Sequence, residues 1–199
     1  MTSSAIGRSE LLYRIATKDI FISPSPGKRE VGKGTVDLRL GSVFLTGKRS
    51  SVPFVDASDP DPMKRLFNRV RIGSEYGFVL QPGQFVLAST LEYISLPLSV
   101  RGQIQSRSSF GRMGLVSAAA SLVGPGWKGC PTLELKNIGE VAIVVRPGLA
   151  VSQMQFETAS ETDTRPSRYQ FSIYPHYALQ EEDGWLKALD ADIANGGAE

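Results

Sequence analysis

"FVLQPGQFVLAST", residues 78–90, sets an apolar run on each side of a Pro-Gly pair, and "IVVRPGLAVSQMQF", residues 143–156, repeats the shape. Proline fixes φ at the second turn position and glycine accepts the positive φ of the third, which is a type II turn. "VGPGWKG" (123–129) supplies another Pro-Gly pair. Short apolar runs with Gly/Pro punctuation and few helical periods predict a mainly β protein, a sandwich or barrel-like fold. Working outward, "TVDLRLGSVFL" (35–45) alternates Val36, Leu38 and Leu40 with Asp37 and Arg39, a strand with one face buried. "SELLYRIATKDI" (9–20) predicts a short helix capped by Ser9, with Leu11, Leu12 and Ile15 on one face. Residues 46–75 are polar and read as a long excursion with one helical turn near Met63–Phe67. At the chain end, Trp185, Leu189 and Ile193 are spaced four apart, predicting a helix that docks by one face before a frayed Gly-rich tail.

The 199 residues suit one domain with a modest appendage, and the 41% hydrophobic content is ample for a core. A net charge of +2 gives no global basic field, so no nucleic-acid partner is expected. No apolar run is long enough to span a bilayer, and the first residues lack the apolar stretch of a secretory signal. The lone Cys130 has no partner for an internal disulfide. These features predict a reduced, soluble, cytoplasmic protein without membrane attachment. One histidine and one cysteine are too few for a zinc site of three or four such ligands. The H-x-E and P-C-x-x-C ligands of zinc nucleobase deaminases are absent. His176, among the aromatics of "SIYPHYALQ", reads as a structural or surface histidine. Asp56, Asp59 and Asp61, interrupted by two prolines, read as a solvated loop and not a metal site.

Two stretches carry candidate chemistry. "SRSSFGRMG" (106–114) brackets Ser108 and Ser109 with Arg107 and Arg112, with Gly111 and Gly114 close by. Guanidinium forks, small hydroxyl donors and an approachable backbone suit an anion with several oxygens. A polar turn with surface charge fits the same residues. In "GPGWKGCPTLELKNIG" (124–139), Glu134 falls on the strand face opposite Leu133 and Leu135. On a strand interior to a sheet, burial would raise its pKa and fit it for general acid–base work. On an edge strand it would be a glutamate facing water.

Together "GTVDLRLG", "LQPGQFVLASTLEYISLP", "RSSFGRMGL", "PGWKGCPTLELKN" and "RPGLAVSQMQF" resemble the dCTP deaminases, of the trimeric dUTPase-like superfamily. The resemblance covers about Gly34 to Tyr169. It implies a distorted jelly roll of β-clip, dUTPase-like type with short peripheral helices, occupying residues 1–175; the helical extension and frayed tail over 176–199 are not typical of the family. It implies a homotrimer with active sites shared between subunits, and hydrolysis of dCTP to dUTP and ammonia without a protein-bound metal. Glu134 falls on the catalytic glutamate, and Ser108 and Arg112 on residues that hold the water and orient that glutamate. Arg107, Ser109, Phe110, Gly111, Gln153 and Arg168 fall on substrate-binding positions, most of them toward the triphosphate. The backbone around Ala120, Thr132 and Leu133 falls on the stretch that reads the pyrimidine. Mg2+ would ride on the triphosphate.

The sequence departs from the family in three places. Gly124 stands where an aspartate meets the deoxyribose hydroxyl. "LVSAAASLVG" (115–124) lacks a histidine usual in that loop and is one residue shorter. "RYQFS" (168–172) replaces Lys-Tyr-x-x-Gln, leaving Arg168 for the lysine and Ser172 for the glutamine. Besides a dCTP deaminase, these departures fit a deaminase of another cytosine nucleotide, or a divergent homologue that binds or senses a nucleotide without turnover. A combined deaminase–diphosphatase would need the missing aspartate.

Overall fold

The computed structural model describes residues 4–48, 54–55, 65–118, 122–159, 167 and 169–176. The acidic stretch around Asp59, the backbone at Ala120, Arg168 and the helix expected over 176–199 lie outside these residues, apart from His176 itself.

Helix α1 (Arg8–Ala16) packs Leu11 fully into the core, with Leu12 and Ile15 against its margin. Its N-cap is Gly7 and not Ser9. Ile6 donates to the Phe156 carbonyl at 2.9 Å, and the helix starts as soon as the chain leaves that pairing; Leu11 then donates to the Gly7 carbonyl at 2.9 Å. Ser9 therefore sits inside the first turn, where its hydroxyl cannot cap.

Among the described residues thirteen strands follow: β1 (Phe21–Ser23), β2 (Thr35–Gly47), β3 (Phe67–Arg71), β4 (Phe78–Leu80), β5 (Phe85–Thr90), β6 (Tyr93–Ser95), β7 (Val100–Ser106), β8 (Leu115–Ala118), β9 (Leu122–Val123), β10 (Lys128–Gly129), β11 (Thr132–Asn137), β12 (Ile143–Val145) and β13 (Ala150–Thr158). A single helical turn, α2 (Ser108–Gly111), separates β7 from β8. The large sheet runs β8-β11-β5-β2-β13-β7-β9, with β3 added to β2. A smaller sheet runs β1-β6-β10, and β4 pairs with β12. All these pairings are antiparallel, as expected for a mainly β chain linked by turns.

The Pro-Gly turns form as expected, with Gly83 and Gly148 at φ 74° and 85°. Gln84 donates to the Gln81 carbonyl at 3.0 Å and Leu149 to that of Arg146 at 3.1 Å. They are corners and not hairpins. The first arms pair with each other, Ile143 opposite Leu80 and Val145 opposite Phe78, while the second arms enter the large sheet.

Strand β2 keeps its alternation through Leu40, shifts register between Leu40 and Phe44, and reaches Gly47. Residues 67–71, expected within the irregular excursion, form a strand instead: Val43 faces Arg71 and Gly47 faces Phe67. Arg65 and Leu66 are helical, but Phe67 already belongs to the strand. "FNRVR" carries no period-2 apolar pattern, and its conformation comes from the free backbone groups of β2. The core between the sheets includes Leu38, Leu40, Phe44, Leu133, Leu135 and Phe156. Phe44 stacks on Phe78 with centroids 5.0 Å apart. Among the described residues no helix is long and apolar enough to cross a membrane.

Candidate active site

The 106–114 stretch is shaped at both ends. At its start, Ser106 Oγ accepts the Ser117 N–H at 2.8 Å and lies 3.2 Å from the Ser117 carbonyl, folding β7 back onto β8. Arg112 N–H donates to the Ser108 carbonyl at 3.1 Å, and Gly114 N–H to that of Gly111 at 3.0 Å. At its end, Gly114 has φ 87°, and a Cβ there would lie 2.7 Å from the Gly139 nitrogen. Only glycine fits that close approach in that conformation. Phe110 packs against the core, while Ser108, Ser109, Gly111 and Arg112 are exposed. The turn thus displays hydroxyls and a cation on a fixed frame. The Ser108, Ser109 and Arg112 side chains have no hydrogen-bond or ion-pair partner among the described residues.

Arg107 is placed differently from these neighbours. Its Nη1 donates to the Ala150 carbonyl at 2.9 Å and lies 3.3 Å from Asp37 Oδ2. Gln153 stands opposite Asp37 in the β2–β13 register.

Glu134 lies on an interior strand and not at an edge. It faces Leu87 of β5 on one side and Ala118 of β8 on the other. Leu133 and Leu135 are buried in the core, and Glu134 is half-buried on the opposite face. Its carboxylate has no ion-pair or hydrogen-bond partner among the described residues. The β8–β11 register brings the chain leaving the Arg-Ser turn alongside the glutamate strand. No bond joins Glu134 to Ser108 or Arg112 within one chain among the described residues. On the same strand, Thr132 Oγ1 accepts the His176 N–H at 3.2 Å. The half-buried His176 ring meets Tyr169 edge-on at 6.2 Å. Leu133 is 1% exposed, so only its backbone is available to a ligand.

Gly124 opens the third Pro-Gly turn, closed by Trp127 N–H to its carbonyl at 3.2 Å. Residues 169–172 lie along that turn and β10. Gln170 Oε1 accepts the Lys128 N–H at 2.8 Å, its Nε2 donates to the Gly126 carbonyl at 3.2 Å, and the Ser172 carbonyl accepts the Cys130 N–H at 2.6 Å. The glutamine that fixes this segment is therefore Gln170, two positions before Ser172.

Three further residues organise the region without having been singled out in the sequence. Asp37 meets Arg107, Glu92 meets Arg39, and Asn137 is fully buried with all its side-chain hydrogen-bonding atoms engaged. The sequence signal for Glu92 and Asn137 is a polar residue next to apolar runs in "TLEYISLP" and "LELKN"; Asp37 was hidden as one polar member of an alternating strand.

Comparison with known proteins adds a common ancestry to this geometry. The chain is 33% identical over 178 residues to the dCTP deaminase of Halorubrum lacusprofundi, covering 88% of this chain and 86% of the relative. It is 31% identical over 186 residues to a dUMP-forming dCTP deaminase of Methanosphaera stadtmanae, covering 89% and 91%. Among solved structures, the 2′-deoxycytidine 5′-triphosphate deaminase of Agrobacterium tumefaciens superposes with a TM-score of 0.62 at 22% identity. That match covers 80% of this chain and 49% of the other, and it shows that the two share the curled β fold expected from the sequence. The profile of the dCTP deaminase-like family matches residues 6–159, from the strand pairing before α1 to the residue after β13, so the chain belongs to the dCTP deaminase-like family.

Proposed function

We propose that this protein hydrolyses the 4-amino group of dCTP, giving dUTP and ammonia. The observation that carries the reading is Glu134: a half-buried carboxylate on an interior strand, without a cation to neutralise it among the described residues, in a chain whose relatives are named dCTP deaminases. A carboxylate so placed accepts a proton from water as the oxygen attacks C4 and delivers it to N3; it then takes the remaining proton of the new hydroxyl and passes it to the amino group as the C4–N bond breaks and ammonia leaves. Ser108 and Arg112 hold the water and orient the carboxylate. Arg107, Ser109, Gln153, Arg168 and the backbone of α2 take the triphosphate, which brings Mg2+ with it. The backbone at Ala120, Thr132 and Leu133 reads the pyrimidine edge. Glu134 and the Arg-Ser turn then meet across the boundary of a homotrimer, which suits the lack of a direct bond between them within one chain. The reaction belongs in the cytoplasm, where the nucleotide is made.

Incubating purified protein with each cytosine nucleotide and magnesium, then resolving products by chromatography, tests this reading. Equal amounts of dUTP and ammonia from dCTP are expected, and activity is expected to survive chelation once magnesium is restored. Nucleotide binding without ammonia release would make the protein a sensor. The Methanosphaera relative is named for a dUMP product. Gly124 offers no carboxylate to activate a second water against the phosphate chain, so dUTP is the expected product here.

A further inference from the structure

Asp37 and Arg107 are far apart in sequence and adjacent in the sheet. Asp37 on β2 stands opposite Gln153 on β13, and Gln153 stands opposite Gln105 on β7, two residues before Arg107. The Arg107 N–H donates to the Val151 carbonyl at 3.2 Å, fixing the backbone. The side chain then turns back over β13, where one nitrogen, Nη1, meets both the Ala150 carbonyl at 2.9 Å and Asp37 Oδ2 at 3.3 Å. Nε and Nη2 have no hydrogen bond among the described residues. The Arg107 side chain is 35% exposed, so its remaining donors are open to a ligand. Here one nitrogen is anchored and an adjoining pair of donors is left, a two-donor edge that matches two oxygens of a phosphate.

We infer that Asp37 is a positioning residue: it holds Arg107 by Nη1 so that the Nε–Nη2 edge faces the triphosphate. This rests on the proposed assignment of Arg107 to the phosphates. Asp37 is itself suited to the task. Its side chain is 22% exposed, so water competes poorly for the contact. Burial holds its pKa above the ordinary carboxylate value, with the Arg107 charge opposing that shift and the neighbouring Glu30 adding to it.

The test reads binding without turnover, using inorganic tripolyphosphate with magnesium in a titration calorimeter. Asp37→Asn keeps the shape and loses the charge. It is expected to weaken tripolyphosphate about tenfold, the scale of one charge-assisted hydrogen bond, and to raise KM for dCTP by a similar factor while kcat stays within about twofold. Arg107→Ala should weaken binding at least as much, and adding Asp37→Asn to it should cost nothing further. Arg107→Lys keeps the cation but cannot be held at one nitrogen while offering a paired edge, so it should bind as poorly as Arg107→Ala. Glu30→Gln changes a nearby charge without touching Arg107 and should leave binding unchanged. Parent-like binding by Asp37→Asn or by Arg107→Lys overturns the inference, as does an Asp37→Asn effect that persists undiminished beside Arg107→Ala. A parent that binds tripolyphosphate but releases no ammonia from dCTP defeats the proposed function instead, and leaves Asp37 as an anchor for an anion-binding arginine.

Discussion

Glu92 and Arg39 form a two-point contact in the core margin. Glu92 Oε1 accepts Arg39 Nε–H at 2.6 Å, and Oε2 accepts the Arg39 backbone N–H at 2.9 Å. Leu91 N–H returns a bond to the Arg39 carbonyl at 2.7 Å, so the link between β5 and β6 is locked to the middle of β2. The glutamate side chain is 2% exposed and the arginine 30%. Removing one member of a buried pair leaves an uncompensated charge. Glu92→Gln should destabilise the fold by about 3 kcal/mol, at the lower end because Arg39 retains some water. Urea unfolding of the two proteins checks the value, and an unchanged midpoint would refute the locking role.

Cys130 lies close enough to Glu92 to feel its charge. Burial, and secondarily that charge, push the thiol up from 9.0 to about 11. The unfolded chain releases this proton near pH 9 and the folded chain holds it until about 11. Above pH 9 the unfolded state therefore binds fewer protons, and stability falls as pH rises toward 11, with no contribution at neutral pH. A plot of Tm against pH should show this decline in the parent. Cys130→Ser should flatten it.

Gly114 and Asn137 tie the Arg-Ser turn to the glutamate strand. The Gly114 carbonyl accepts the Ile138 N–H at 2.8 Å. Asn137 donates from Nδ2 to the Leu80 and Val141 carbonyls at 3.0 and 2.8 Å, and its Oδ1 accepts the Gly139 N–H at 2.9 Å. A methyl at position 114 would strike Gly139 and force a positive φ on an alanine. Gly114→Ala should cost about 2–3 kcal/mol and lower kcat at temperatures where the variant remains folded. Circular dichroism with assays on the same samples separates the two effects. Parent-like kcat in a destabilised variant would show that the turn's placement does not matter to the reaction.

Glu134→Gln tests the assigned base. The amide keeps the shape but cannot accept the water proton, so kcat should fall by about two to four orders of magnitude while nucleotide binding persists. Single-turnover assays and calorimetry on one preparation read both quantities. A variant with near-parent turnover would remove Glu134 from the chemistry.

Local patterns made the fold legible where the chain's own residues determine the backbone. Pro82-Gly83 and Pro147-Gly148 specify their turns, and Val36, Leu38 and Leu40 specify a buried face. They did not show that the two turns are corners, because partner choice between Ile143 and Leu80 is decided by distant contacts. Strand β3 was invisible for the same reason: Asn68, Arg69 and Arg71 are polar, and pairing with β2 imposes their conformation. In the candidate site, Ser108, Arg112 and Glu134 are singled out through a resemblance across several motifs. The Asp37–Arg107 contact is not, since it depends on the register of three strands.

Gly124 is where substrate recognition should differ from that of typical relatives. The resemblance places an aspartate there to accept a bond from the sugar 3′-hydroxyl, and glycine has no side chain for it. A hydrogen bond to a charged partner is worth roughly 1.5–3 kcal/mol, or about ten- to over a hundredfold in kcat/KM. The protein should therefore accept a 3′-deoxy analogue of dCTP nearly as well as dCTP. A Cβ at position 124 meets nothing within 4 Å, so a side chain fits without disturbing the turn. Gly124→Asp should restore preference for the 3′-hydroxyl. The assay compares kcat/KM for dCTP and its 3′-deoxy analogue on both proteins. A parent that already rejects the analogue by a hundredfold would mean that another residue holds the sugar.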